Sequence, residues 1–330
     1  MRSPTAEWYD RAATSDLVGH SAVHVAWAAG VATDAEVLAL IDRLPREHRQ
    51  PSLLFSVARL LGCPTDDYPV LRAWLLRNWP RVEVEARVRR TQTNEAGRCA
   101  PLIAALERIP GPLALLEVGA SAGLCLAPER YSYRFDDGPV LGSGSPLLSC
   151  ATSGEGVAPT SLPHVVWRRG IDVAPLSVAE LDDVRWLEAL LPPDRPDRTR
   201  RLRDAVAALQ SDPPVVVVGD ALAALDDVAA EAPASATLVV VSLGTLVYLP
   251  PEARGRFPDA VAGLGARLVT LEAAEAVPRV AGRLADLVAP EPTRYVLAVD
   301  CEPIAFTSPH GDRVSWLSPA SRVDLPGAPT

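Results

Sequence analysis

Leu113-Ala114-Leu115-Leu116-Glu117-Val118-Gly119-Ala120-Ser121-Ala122-Gly123-Leu124 is the stretch on which the fold turns. Six residues, all apolar but one, run into a glycine, then small residues, then a second glycine. A short apolar run ending in a glycine turn predicts a strand buried on both faces, as in a parallel sheet. Small residues after it let backbone approach a ligand, and a helix starting there offers unpaired N–H groups to an anionic group.

Downstream, similar runs recur at 165–171, 215–218, 238–241 and 267–271. Helical patterns at 178–190, 200–209, 222–232 and 251–264 separate several of them. Strands alternating with helices mean βαβ units, so the expected fold is α/β, a doubly wound Rossmann-like sheet of the methyltransferase type. Tyr295–Val299 and 313–317 flank a Pro/Gly-rich turn and are expected to close the sheet as an antiparallel pair. Upstream the pattern is helical. Thr33 and Glu36 frame a capping box, Leu53 to Leu61 repeat the helical period before Gly62 and Pro64, and a further helix is expected over 67–78. These readings divide the chain into a helical N-terminal domain, 1–108, and a Rossmann-like domain, 109–330. A helix over 89–106 is expected to join them. An insertion rich in Gly, Pro and Ser lies around 128–164.

Composition narrows the chemistry. All 32 basic residues of the 330 are arginine. Without lysine there is no Walker A loop, no pyridoxal or aldolase Schiff base, and no kinase or S-x-x-K scheme. A net charge of −9 argues against a nucleic-acid partner, which calls for a basic stripe. The first fifteen residues have no signal-peptide h-region, and the apolar stretch 238–250 is shorter than the about 20 residues a membrane span needs. Cys63, Cys99, Cys125, Cys150 and Cys301 are odd in number and never in C-x-x-C spacing. They suit reduced thiols of a cytoplasmic protein with no membrane partner.

The turn after Val118 has two chemical readings. In the first it is an S-adenosylmethionine site: Glu117 is the acid of the strand, and Gly119, Ala120, Ser121 and Gly123 pass the methionine carboxylate. Asp172, ending the second parallel strand, takes ribose hydroxyls; Asp220 with Ala221, ending the third, takes the adenine amino group. The nicotinamide pattern G-x-G-x-x-G is not met, because position 121 is Ser. In the second reading Gly119-x-Ser121-x-Gly123 is a nucleophile elbow, with Asp300 and His310 following in triad order. The helical upstream region and a carboxylate directly beneath the turn weigh against it. Each acid alone is also an ordinary cap or turn residue.

Gln92, Asn94, Glu95 and Arg98 form a polar run that either lines the cleft facing the turn or, with Thr91 and Thr93, caps a helix. Ser242 and Tyr248 follow the fourth strand, where a substrate would lie. Glu95 and Tyr248 are the candidate catalytic groups, with Glu95 the first choice of base; Gln92, Asn94, Arg98 and Ser242 are substrate-facing. His20 and His24 are spaced i,i+4 but have no third ligand nearby, so no metal site is expected. His310 reads as a turn residue that merits testing as a base.

Several motifs occur in order: RRTQTNEAGRCA (89–100), LLEVGASAGL (115–124), WRRGIDVAPL (167–176), RWLEAL (185–190), VVGDAL (217–222) and YLPPEAR (248–254). Together they resemble the bacterial family of domain of unknown function 2332, common in actinobacteria. The resemblance spans nearly the whole chain and implies a methyltransferase-type Rossmann core. Two positions depart from it: Cys125, where members usually have Asn, and Ser242, where they often have His. The expected function is an S-adenosylmethionine-dependent methyltransferase acting on a small molecule. A serine esterase using Ser121 and a non-catalytic binding protein of the same fold are the alternatives.

Overall fold

Acidic and hydroxyl side chains start the first helices. Ser3 caps α1 (Pro4–Arg11) and Ser21 caps α2 (Ala22–Val31), each accepting from an N–H three residues on. α3 (Ala35–Ile41) is capped by Asp34, which accepts from Glu36 and Val37. Thr33, the expected cap, instead turns its hydroxyl back to the Gly30 carbonyl. α4 (Pro51–Leu60) follows, and Asp67 caps α5 (Tyr68–Val88). α5 runs well past the expected end at 78, through Pro80. Trp79, Val82 and Ala86 bury one stripe of this extension, which offsets the hydrogen bond that proline removes. The expected helix over 89–106 is broken. Arg89 is extended, with its guanidinium on Glu85 and Asp182, and the Arg90 carbonyl is spent on the Trp186 indole N–H. Only α6 (Cys99–Leu106), entered through a short 3-10 turn, is helical there.

From there the chain forms β1 (Leu113–Val118), β2 (Ser132–Phe135), β3 (Leu147–Gly154), β4 (Val165–Asp172), α7 (Leu181–Leu190), α8 (Pro196–Leu209) and β5 (Val216–Val218). It continues through α9 (Leu225–Ala229), β6 (Thr237–Leu243), α10 (Pro251–Gly263), β7 (Arg267–Ala273), α11 (Pro278–Leu284), β8 (Tyr295–Val299), β9 (Glu302–Thr307) and β10 (Arg313–Trp316). This computed structural model describes residues 3–92, 94–284, 289–290 and 293–318; Thr93 lies outside them.

The chain divides into two compact units, Met1–Thr93 with Glu180–Leu202, and Asn94–Ala179 with Arg203–Thr330. The division thus falls between Thr93 and Asn94, and α7 belongs with α1 to α5. In this helical unit the rings of Tyr9, His24 and Trp27 surround Phe55. Arg59 of α4 donates to the Ala189 and Leu191 carbonyls, satisfying acceptors that the end of α7 leaves open. Among the described residues no single helix is long and apolar enough to cross a membrane.

The second unit is α/β, built on a ten-stranded, mostly parallel sheet in the order β2-β3-β10-β9-β8-β7-β6-β1-β4-β5. Strands β5, β4, β1, β6 and β7 are parallel; β8 runs antiparallel to β7, and β9 antiparallel to β8. Leu116 and Val118 point into a core shared with Leu225, Phe257, Val261 and Val280 of α9 to α11. Alternation turns Leu115 and Glu117 to the opposite face, where α6, buried along its whole length, packs.

Three strands were not legible in the sequence. The Gly/Pro/Ser-rich insertion contributes β2 and β3, which extend the sheet beyond β10. β9 intervenes between β8 and β10, so Tyr295–Val299 and Arg313–Trp316 do not pair with each other as expected. The turn into β9 has positive φ at both Asp300 and Cys301, the backbone of a two-residue hairpin usually marked by Asn-Gly.

Candidate functional site

The strand order reverses between β1 and β6, and ligands of open α/β sheets bind outside the carboxyl ends at such a point. Two turns meet there: 119–123 after β1 and 243–246 after β6.

The first turn takes a left-handed φ at Gly119, Ser121 and Gly123. Alternating positive φ values cannot start a helix, and none follows β1; the expected helix N-terminus is absent. Side chains satisfy the backbone instead. Asn94 Nδ2 donates to the Ala120 carbonyl at 3.1 Å, and Asn94 Oδ1 accepts from Leu124 N at 3.2 Å. Asp172 Oδ2 accepts from Ser121 N, and Oδ1 from Ala174 N, both at 2.8 Å. The glycines make room for protein rather than ligand. A Cβ on Gly119 would fall 2.1 Å from Thr245 Oγ1, and one on Gly123 2.6 Å from Pro214 Cβ. Gly123 is therefore closed to the cofactor approach expected of it. Ser121 Oγ is buried without a hydrogen-bond partner.

Glu117 lies directly before this turn. Its side chain is buried, makes no hydrogen bond, and leaves Oε2 wholly inaccessible to solvent. Burial pushes its carboxyl well above the usual range; the neighbouring Cys125 and Asp172 add to the shift, and Arg98 opposes it.

The second turn is held by Glu272 of β7. Its Oε1 accepts from Ser242 Oγ at 2.7 Å, Thr245 N at 2.8 Å and Leu246 N at 3.1 Å. Burial raises the Glu272 carboxyl, while these three bonds and Arg98 pull the other way. Arg98 is itself buried. Its guanidinium donates to the Leu243 and Pro309 carbonyls and stacks over Tyr295. Glu95 is buried beside it, accepts from Gly97 N at 3.2 Å, and places Oε2 3.8 Å from His310 Nδ1.

Asn94, Glu95, Arg98, Glu117, Gly119, Ala120, Ser121, Asp172 and Ser242 thus belong to one region of the sheet unit. Other candidates stand apart. Asp220 is exposed and caps a turn through Leu222 N and Ala223 N, at 3.0 and 3.1 Å. Ala221 packs half-buried against the core. Tyr248 is 80% exposed. Gln92 belongs to the helical unit.

The elbow reading loses its acid. β8 runs antiparallel to β7, so Asp300 lies at the opposite end of the sheet from Ser121, tied to Arg267 and to Leu268 N. No group of three or more His, Cys, Asp or Glu able to hold a metal occurs among the described residues. His24 is packed between Trp27 and Phe55.

Glu272 was missed in the sequence, although an acid inside the apolar run 267–273 is the same signal that singled out Glu117. Thr245 carries no such signal, because its role is to fill the space above Gly119.

A model of the family described as "Uncharacterized protein conserved in bacteria (DUF2332)" matches residues 6–316. No curated protein and no solved structure matches the chain. The chain belongs to the DUF2332 family.

Proposed function

We propose that this DUF2332 member binds S-adenosylmethionine at the carboxyl ends of β1 and β4 and transfers its methyl group to a small molecule. The observation that carries the reading is Glu117. A buried carboxyl without a hydrogen bond costs stability, and its place beside a glycine turn suits a ligand bearing positive charge and N–H donors.

The surroundings support the same ligand class. The order β5-β4-β1-β6-β7 is 3-2-1-4-5 in the sequence of parallel strands, the arrangement of nucleoside-binding sheets. Asp172 spends one acceptor site of each oxygen on backbone N–H groups, and each keeps capacity for a ribose hydroxyl. Phosphate is disfavoured, since Glu117 and Asp172 flank a turn that has no helix N-terminus. Asp220 and Gly123 are not assigned to the cofactor, one being turned to solvent and the other packed on Pro214.

Bound cofactor would supply an electrophilic methyl group on a sulfonium. The chain's own part is alignment and exclusion of water. Asn94 and Asp172 fix the turn from two sides, Glu272 fixes the facing turn, and Arg98 ties the second turn to the 309 carbonyl. Calorimetry with S-adenosylmethionine and S-adenosylhomocysteine tests the reading. Saturable binding of either is expected, and no heat from both at high micromolar concentration overturns it. Binding with no transfer to any compound of a metabolite extract would make the protein a non-catalytic binder.

One observation favours the esterase reading: the positive φ of Ser121 is the strained backbone of a nucleophile elbow. Labelling by a fluorophosphonate, lost in Ser121→Ala, would establish it. Unlabelled folded protein removes it.

A further inference from the structure

The hairpin tip 308–312 between β9 and β10 is fastened to the segment 95–98 by backbone contact. A Cβ on Gly97 would fall 2.3 Å from the His310 carbonyl oxygen, and one on Gly311 2.1 Å from the Gly97 carbonyl oxygen. Only glycine at both positions permits this approach. Arg98 Nε donates to the Pro309 carbonyl at 2.9 Å. Within the tip, Ser308 Oγ accepts from Asp312 N at 3.1 Å and from Arg313 N at 3.3 Å.

This frame sets the His310 imidazole against Glu95, with Nδ1 3.8 Å from Oε2. The two side chains differ in access: 24% of the His310 side chain is open to solvent and 5% of that of Glu95. Glu95 spends its other oxygen on Gly97 N, so it is anchored under the ring. A carboxylate behind Nδ1 holds the tautomer in which Nε2 accepts a proton. The separation is long for a hydrogen bond, as such pairs often are before substrate is bound. Other charged residues of the two segments are Arg98, bound to the Pro309 carbonyl, and Asp312 and Arg313 of the hairpin.

We propose that His310 is the proton acceptor of this site, that Glu95 is its positioning residue, and that the methyl acceptor therefore carries an ionisable O–H or N–H. This rests on the methyl-transfer reading. As the bond from the acceptor's O or N to the methyl carbon forms, the carbon–sulfur bond breaks with its electron pair left on sulfur. The acceptor's proton passes to His310 Nε2. In this assignment Glu95, the base expected from the sequence, acts through His310 and not directly on the acceptor.

The pairing can be read without ligand. In an NMR titration the His310 imidazole is identified by the resonance that His310→Gln removes. Its midpoint should fall by about one unit in Glu95→Gln; equal midpoints overturn the proposal. Should Glu95→Gln not fold, Glu95→Asp should lower the midpoint by about half a unit, and no change again overturns it. Carbethoxylation of His310, followed by peptide mass, should slow several-fold with S-adenosylhomocysteine bound, while His48 reacts as before. An unchanged His310 rate in protein shown by calorimetry to be saturated overturns its place at the site. Protein that binds no S-adenosylhomocysteine overturns the methyl-transfer reading, and the titration alone then decides the pairing.

Discussion

Glu272 and Glu117 are both buried glutamates near the carboxyl end of a parallel strand, and the fold treats them in opposite ways. Glu272 gathers a hydroxyl and two backbone N–H groups onto one oxygen and so determines the course of the chain after β6. Glu117 gathers nothing. Both leave Oε2 buried without a partner, but the fold uses one oxygen of Glu272 and neither oxygen of Glu117, so a ligand is sought at Glu117.

The comparison breaks or sharpens by substitution. Glu272→Ala strands two buried donors and a partly buried third, and the loss expected is about 4 kcal/mol of unfolding free energy, read from denaturant melts. A loss below about 1 kcal/mol would show that the second turn does not depend on Glu272. His24 provides a buried titratable group away from either glutamate. Burial, reinforced by Arg59, lowers it from 6.5 to about 4. Its unfolded form therefore binds the extra proton between those values, and stability present above pH 6.5 drains away as pH falls toward 4. The expected cost is about 3 kcal/mol, absent from the difference curve of His24→Phe.

Glu117→Gln should change stability by less than about 1 kcal/mol near pH 5 and yet weaken S-adenosylhomocysteine binding by about tenfold, or about 1.4 kcal/mol. Because the Glu117 carboxyl is held above its ordinary 4.5, the stability it confers is complete below that pH and is lost as pH rises through the folded value. The glutamine variant should therefore gain on the parent protein as pH rises. A destabilisation matching that of Glu272→Ala would make Glu117 a structural residue. The smallest effect is expected at Asp220, where alanine removes an exposed cap worth about 0.5–1 kcal/mol. Ligand affinity should not change; a tenfold loss would return Asp220 to the site.

The parallel half of the fold was legible because its strands are buried runs bounded by glycine and acid. The sequence pattern marks Leu113–Val118 and Tyr295–Val299 to the residue, and the other parallel strands to within a residue or two of their ends. β2 and β3 were hidden because their glycine- and serine-rich surroundings imitate a loop, and β9 because its turn uses Asp300 and Cys301. At the candidate site, position and residue type single out the acids on β1 and β4 and the polar run at 94–98, which the fold brings into one region. What sequence does not carry is commitment: that Asp172 bonds two N–H groups, that Asp220 faces water, or that Pro214 fills the space at Gly123. Those depend on partners far along the chain.

The placement of β2 and β3 bears on how the protein can be made. They emerge straight after β1, but β3 pairs with β10, where Ala151 meets Arg313. That edge of the sheet must therefore wait, unpaired, until nearly every described strand has left the ribosome. An exposed strand edge invites association with other chains. A nascent chain stopped before β10 is thus the species most in need of a chaperone, and its solubility should recover only once the last strand is supplied.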